Sequence, residues 1–253
     1  MARTITSSHN QKLKEIRKLR VRRHERDRAG RFVAEGEDLL AAADGAGWAP
    51  LERFCAAGSG LLGVEVEPEL LASASGLASG TRALAVYQER WAPRPLGPLC
   101  VYVHGVQDPG NAGAVLRSAA AFGAGSVVFG PGSADPFGPK AVRASMGAVF
   151  TVPVARARTL DELPGLTIAL VASAGAPLTA LGELWRSTSE GSRPDAKVPL
   201  ELTLLIGSER DGLPPDIVQA ADETVHIPIR THSLNAAMAA TVALYEVTRM
   251  AGP

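Results

Sequence analysis

The sequence predicts an α/β protein built from a smaller N-terminal α/β unit and a larger unit with a mainly parallel sheet covered by helices on both faces. Two observations lead there. From Leu99 onward, continuous apolar runs of strand length alternate with amphipathic runs of helix length, the pattern of strands buried on both faces. Before them, WAPRPLGP at residues 91–98 packs three prolines and a glycine into eight positions. Proline removes a backbone donor and forces extended neighbours, so this stretch reads as a linker between residues 1–90 and 99–253.

The first element is a basic helix within SSHNQKLKEIRKLRVRRHERD. Leu13, Ile16 and Leu19 share a narrow stripe, while Lys12, Lys14, Arg17, Lys18, Arg20, Arg22 and Arg23 cover the rest. Residues 1–31 hold eleven Lys and Arg against three acids, so a net of +8 is concealed within a chain whose total charge is zero. Such a face attracts phosphates by releasing their condensed counterions; the alternative is a solvated charged helix. The stripe lacks an aromatic anchor, which argues against membrane binding. Glu37 to Asp44 follows as a helix ended by glycines, then LERFCA as a strand, PELLASAS as a short helix and TRALAVYQ as a strand.

In the second unit LCVYVHGV, SVVFG, VFTVPV, LTIALVAS, LTLLIGS and ETVHIPI are the expected strands. AVLRSAAAFGA, GPKAVRASMG, LPPDIVQAA and the stretch after Ser233 are the expected helices. In the last of these, Leu234, Met238, Val242 and Tyr245 fall at helical spacing and suggest its packed face. WRSTSEGSRPDAKVP, residues 185–199, is polar and reads as an exposed loop.

Bulk properties exclude several classes. Hydrophobic content of 46% with 21% charge suits a globular core. Residues 1–30 lack the apolar run of a signal peptide, and 166–182 are short for a membrane span and contain Pro177, so a cytoplasmic protein is expected. Cys55 and Cys100 stand apart from each other and form no C-x-x-C pair, which indicates neither a disulfide framework nor a metal site. In the second unit no G-x-G-x-x-G follows a strand, and neither G-x-x-x-x-G-K-[ST] nor G-x-S-x-G occurs in the chain, which removes support for nicotinamide, P-loop and nucleophile-elbow chemistry.

Polar clusters at three strand ends carry the chemistry. Asn111 follows an Asp-Pro-Gly turn, and Arg117 stands six residues later among Ala, Val, Leu and Phe, where a guanidinium is normally paired or used. In LLIGSERDGLP, Gly207 permits close backbone approach and Glu209, Arg210 and Asp211 gather in one loop. IPIRTHSLN crowds Arg230, Thr231, His232, Ser233 and Asn235 against the last helix. Ligands in parallel sheets bind beyond such strand ends.

NAGAVLRSAAAFG, LLIGSERDGLP and IPIRTHSLNAAMAATVALYE, in that order, resemble the three motifs of the SpoU (TrmH-type) branch of the SPOUT RNA 2′-O-ribose methyltransferases. ITSSHNQKLKEIRKLR and GRFVAEGEDLL resemble the substrate-binding domain that precedes many members. The resemblance implies a deep trefoil knot in the C-terminal unit, a homodimer, S-adenosylmethionine as cofactor without metal, and ribosomal RNA ahead of tRNA as substrate. The alternative is a non-catalytic RNA-binding protein of the same fold. It further implies that Gly207, Ser208, Glu209, Gly212, Ile227, Ser233 and Leu234 surround the cofactor and that Glu209 and Asn235 brace the binding loops. Asn111 would position Arg117 or the ribose, Ser233 would bond the substrate, and Arg117 would activate the hydroxyl, reaching across the dimer. Arg143 and Ser145 match a loop expected near RNA phosphates. The chain departs from the motif pattern in having Arg230, Thr231 and His232 before Ser-Leu-Asn and Ala236-Ala237 after it.

Overall fold

The computed structural model describes residues 4–77, 80–181 and 201–251; the loop expected at 185–199 lies outside them. Two sheets form the frame. The first, in the order β1-β4-β2-β3, contains β1 (Arg31–Glu35), β2 (Glu52–Ala56), β3 (Val64–Val66) and β4 (Ala83–Gln88). Its helices are α1 (Gln11–Val21), α2 (Arg23–Ala29), α3 (Glu37–Gly45) and α4 (Pro68–Ala74).

The single basic helix expected from the sequence is divided at Arg22, whose extended backbone separates α1 from α2. Asn10 starts α1 by accepting from the Lys12 amide at 2.9 Å. Leu13, Ile16 and Leu19 are buried as the stripe required, in a core with Phe54, Leu71 and Leu84. Strands β1 and β3 went unrecognised in the sequence; β3 spans only three residues.

The second sheet is parallel throughout, in the order β7-β6-β5-β10-β8-β11-β9. It comprises β5 (Leu99–Val103), β6 (Ser126–Phe129), β7 (Val154–Arg156), β8 (Leu166–Val171), β9 (Ala176–Pro177), β10 (Leu202–Ile206) and β11 (Glu223–His226). Every residue of β5, β6 and β10 is buried, as strands sandwiched between helices must be. Those helices are α5 (Pro109–Ala121), α6 (Pro139–Ala144), α7 (Pro215–Ala220) and α8 (Ala236–Ala251). VFTVPV is a correction: Ala148–Phe150 forms a 3-10 turn and the strand begins only at Val154.

The face of α8 is the larger correction. Met238, Val242 and Tyr245 are 63%, 40% and 54% exposed, whereas Ala240, Ala243 and Leu244 are fully buried. Small alanines let α8 lie close to α5, with Ser118 and Thr241 hydroxyls 2.6 Å apart between them. The large apolar side chains are thereby left facing outward.

Residues 91–98 do not separate two independent bodies. The Ala92 amide donates to Val154 O at 2.7 Å, and Leu96 exchanges hydrogen bonds with the Ser126 hydroxyl. Phe32, Trp48 and Tyr87 of the first unit stack with Phe137 and Phe150 of the second in one continuous core. Trp48 Nε1 donates to Phe150 O at 2.8 Å, and buried Arg26 makes a two-nitrogen contact with Asp135 at 2.8 and 2.7 Å.

Candidate functional site

The three polar clusters meet at the C-terminal edge of the parallel sheet, as open α/β architecture favours. Beyond β10 the chain turns back at once. The Ser208 and Gly212 backbones pair antiparallel, with N–H to O distances of 3.0 and 3.2 Å. A β-carbon at Gly207 would lie 2.1 Å from the Gly212 carbonyl carbon, so only glycine permits that approach. Gly212 itself takes φ +69°.

Facing this loop is the segment between β11 and α8. Asn235 caps α8, its Oδ1 accepting from the amides of Ala237 at 3.0 Å and Met238 at 3.3 Å. Its Nδ2 donates to Asn111 Oδ1 at 2.9 Å. The Asn111 amide in turn donates to Glu209 Oε1. One hydrogen-bonded chain thus joins the starts of α5 and α8 to the loop after β10. Asp108 fixes the α5 end, accepting from the Asn111 amide N–H at 3.0 Å and from Lys140 Nζ at 2.7 Å. These contacts, led by Lys140, hold its carboxyl below the usual carboxylate range.

Between the two loops lies a cleft of about 320 Å³, within the size of small-molecule sites. Gly207, Ser208, Glu209, Gly212, Ile227, Ser233 and Leu234 all line it. Leu170, Ile206 and Ala239 add apolar wall beside polar Glu209, Asp211 and backbone groups. The combination suits a small ligand that carries both apolar and polar groups. Sequence reasoning did not single out Leu170 to Ala172 or Ile206 for this wall. Their position at the C-terminal ends of β8 and β10 was the available signal.

Other expected residues lie elsewhere. Arg117 is exposed on α5. Six residues of helix place it about 9 Å along the axis from Asn111 and on another side, and no hydrogen bond joins the two among the described residues. Ser145 is 1% exposed and donates to Val142 O at 2.7 Å, so its hydroxyl is turned into the core and away from any phosphate. Arg143 is half-buried, 3.7 Å from Glu35. Arg20 pairs with that same buried carboxylate at 2.5 Å; it is an internal partner, which corrects its place on the RNA-facing surface. Lys12 pairs with Glu52 and Arg17 bonds Ser8 O and Ser73, whereas Lys14, Lys18, Arg22 and Arg23 are exposed.

His104 lies beside the site with Nδ1 3.0 Å from the Tyr102 hydroxyl. Burial lowers the imidazole pKa, and burial followed by the Glu162 charge pushes the phenol up to about 12, so both are neutral near pH 7. No group of three or more His, Cys, Asp or Glu side chains suited to a metal occurs among the described residues. No helix among them is long and apolar enough to cross a membrane.

The model of the SpoU rRNA Methylase family matches residues 98–245. The chain belongs to that family. It is an S-adenosylmethionine-dependent RNA 2′-O-ribose methyltransferase. Residues 10–89 match the MRM3-like substrate binding domain. The chain is 26% identical to the 23S rRNA (guanosine(2553)-2′-O)-methyltransferase RlmP of Bacillus subtilis over 96% of this chain and 98% of that protein. It is 38% identical to the 23S rRNA (uridine(2479)-2′-O)-methyltransferase of Streptomyces viridochromogenes over 56% of this chain and 49% of that one. Among solved structures, the AdoMet-bound rRNA methyltransferase of Sinorhizobium meliloti superimposes with a TM-score of 0.81 at 28% identity, covering 98% of this chain and 97% of that one.

Proposed function

We propose that this methyltransferase acts on large-subunit ribosomal RNA as a homodimer with a knotted C-terminal unit. The observation that carries the catalytic reading is the Glu209–Asn111–Asn235 chain of hydrogen bonds, which ties all three motifs around one cleft. Both relatives named above act on 23S rRNA by their names, and the exposed lysines of α1 supply a phosphate-attracting face.

S-adenosylmethionine supplies an electrophilic methyl group on its sulfonium. The chain's task is to hold a ribose 2′-hydroxyl in line with that methyl and to ease loss of its proton, since the hydroxyl pKa lies far above neutral. The apolar wall of Leu170, Ile206, Ile227 and Leu234 receives the adenine, and Glu209 with the loop backbone holds polar groups. Ser233, exposed at the cleft, bonds the substrate. Arg117 of the partner subunit stabilises the developing alkoxide; a guanidinium remains protonated, so charge rather than proton abstraction is its contribution.

The outward face of α8 supports the dimer. Met238, Val242 and Tyr245 lie exposed, and the ring of Phe122, just past α5, is 6.3 Å from that of Tyr245, an apolar surface suited to a second copy. The insertion of β10 between β5 and β8, with the 207–212 and 227–235 loops facing each other across one cleft, supports a threaded connection of the kind otherwise rare in proteins. Incubation of ribosomal RNA lacking its own modifications with the protein and labelled cofactor tests the reading. Label should enter 23S rRNA at a linkage resistant to alkaline cleavage. Label confined to a base, or to tRNA, would overturn it.

A further inference from the structure

A second groove, of about 520 Å³, opens at the ends of β6 and β7. It lies where the first unit meets the parallel sheet. Its walls carry Arg23 from α2, Trp91, the turn after Phe129, and Arg156 and Arg158 after β7. The Arg156 guanidinium lies over the Trp91 ring, its carbon 3.8 Å from the ring centroid. Trp91 is itself held edge-on to Phe137 and donates from Nε1 to Glu89 at 3.0 Å. Arg156 therefore has one planar face fixed against an aromatic ring, yet its side chain remains 55% exposed. Arg23 is 56% exposed and Arg158 is exposed as well. Two carboxylates face these cations: Asp27, 3.7 Å from Arg156 and 3.8 Å from Arg23, and Glu89, whose carboxyl burial pushes upward.

This groove and the cofactor cleft lie along the same edge of the sheet. The Gly105 amide donates to Pro131 O in the groove wall at 3.0 Å, and a β-carbon at Gly105 would sit 3.6 Å from Ser208 Cβ in the cleft wall. Only β5 stands between β6 and β10, a separation of about 10 Å at the usual strand spacing.

We propose that the groove is an RNA-strand subsite for nucleotides flanking the methylated one, with a base stacked on the outer face of Arg156 and phosphates held by Arg23 and Arg158. It rests on the RNA methyltransferase reading and adds the path by which the strand crosses from the first unit to the cleft. Single-stranded RNA is the occupant these features suit, because unstacked bases lie on guanidinium planes while basic side chains track the backbone.

The test is titration of a short mixed-sequence single-stranded oligoribonucleotide against the full-length protein and its Arg156→Ala, Arg156→Lys and Asp27→Asn variants, with S-adenosylmethionine affinity measured in parallel. Arg156→Ala should weaken RNA binding about tenfold, within the range for removing one stacking partner, and leave cofactor affinity unchanged. Arg156→Lys should recover the salt dependence but little of the affinity. Asp27→Asn breaks the ion pair and keeps the guanidinium, so it should bind RNA at least as well as wild type. Unchanged RNA affinity in Arg156→Ala would reduce Arg156 to a strut between the two units, as would an equal loss in Asp27→Asn. Wild-type protein that binds cofactor but no RNA would overturn the functional reading, and this proposal with it.

Discussion

Asn235 Nδ2 donates to Asn111 Oδ1 at 2.9 Å, joining two residues 124 positions apart in the chain. Asn235 also caps α8 through its Oδ1, so the same side chain starts a helix and locks a loop. The two roles can be separated. Asn235→Ser retains a good capping oxygen but cannot reach Asn111, whereas Asn235→Ala loses both. The serine variant should therefore keep most of its thermal stability while losing cofactor affinity by several-fold, the size of one hydrogen bond of about 1 kcal/mol. A double-mutant cycle with Asn111→Ala, read by calorimetric titration of S-adenosylmethionine, should show coupling. Strict additivity would mean the bond does not contribute to the cleft.

The basic helix was legible as an amphipathic element, yet its charges could not be apportioned from the sequence. The structure commits Arg20 to Glu35 and Lys12 to Glu52, and residues 13–19 hold part of a core, so deleting the segment would unfold the first unit. A triple change of Lys14, Lys18 and Arg22 to Gln leaves packing intact. If these three exposed cations meet phosphates, the slope of log K against log salt for RNA binding should fall by about 0.7 to 0.9 for each phosphate left without its cation. A slope equal to wild type would make α1 a solvated face.

The site was readable before the structure because its residues break local rules: polar groups interrupt an apolar strand-to-helix junction, and two glycines flank one loop. The seven residues expected around the cofactor accordingly line a single cleft. What escaped was set by tertiary packing. Periodicity shows that Met238, Val242 and Tyr245 share one face of α8, but the buried face is the alanine-rich one against α5, and a pattern of spacings does not say which face finds a partner. Ser145 and Arg143 look like surface polar residues in KAVRASMG. Only the approach of β1, placing Glu35 beside Arg143, and the inward turn of the Ser145 hydroxyl reveal their internal roles.

Asp222 gives the fold a defined acid sensitivity. Its Oδ2 accepts from the Thr167 amide at 2.8 Å and hydroxyl at 2.7 Å, pinning the start of β11 to β8, the two strands whose far ends wall the cleft. These bonds, the backbone amide first, lower its folded pKa. A depressed carboxyl contributes stability that is complete above its ordinary value of about 3.9 and disappears as pH falls through the folded value. Asp222→Asn should therefore melt below wild type at neutral pH, with the gap closing as pH is lowered under about 4. A gap that stays constant with pH would show that the charge on Asp222 does not matter.

Arg117 separates chemistry from binding. It is exposed on α5, away from the polar chain of its own subunit, so Arg117→Ala should fold, associate and bind S-adenosylmethionine as wild type does, yet lose methyl transfer by orders of magnitude. Arg117→Lys should restore little, because a compact ammonium does not reproduce the planar fork. If the arginine serves the partner's cleft, its loss can be repaired by a subunit with the opposite defect. Mixing Arg117→Ala with Asn235→Ala under subunit exchange creates heterodimers in which one of the two composite sites has both halves intact. Activity in that mixture above the sum of what the two parents show alone establishes action across the interface. A further change, Tyr245→Glu, places a charge on the outward apolar face of α8 and should abolish both dimerisation and the recovery while cofactor binding survives. Verified heterodimers without recovery would confine Arg117 to its own chain, and a Tyr245→Glu protein that still sediments as a dimer would move the interface away from α8.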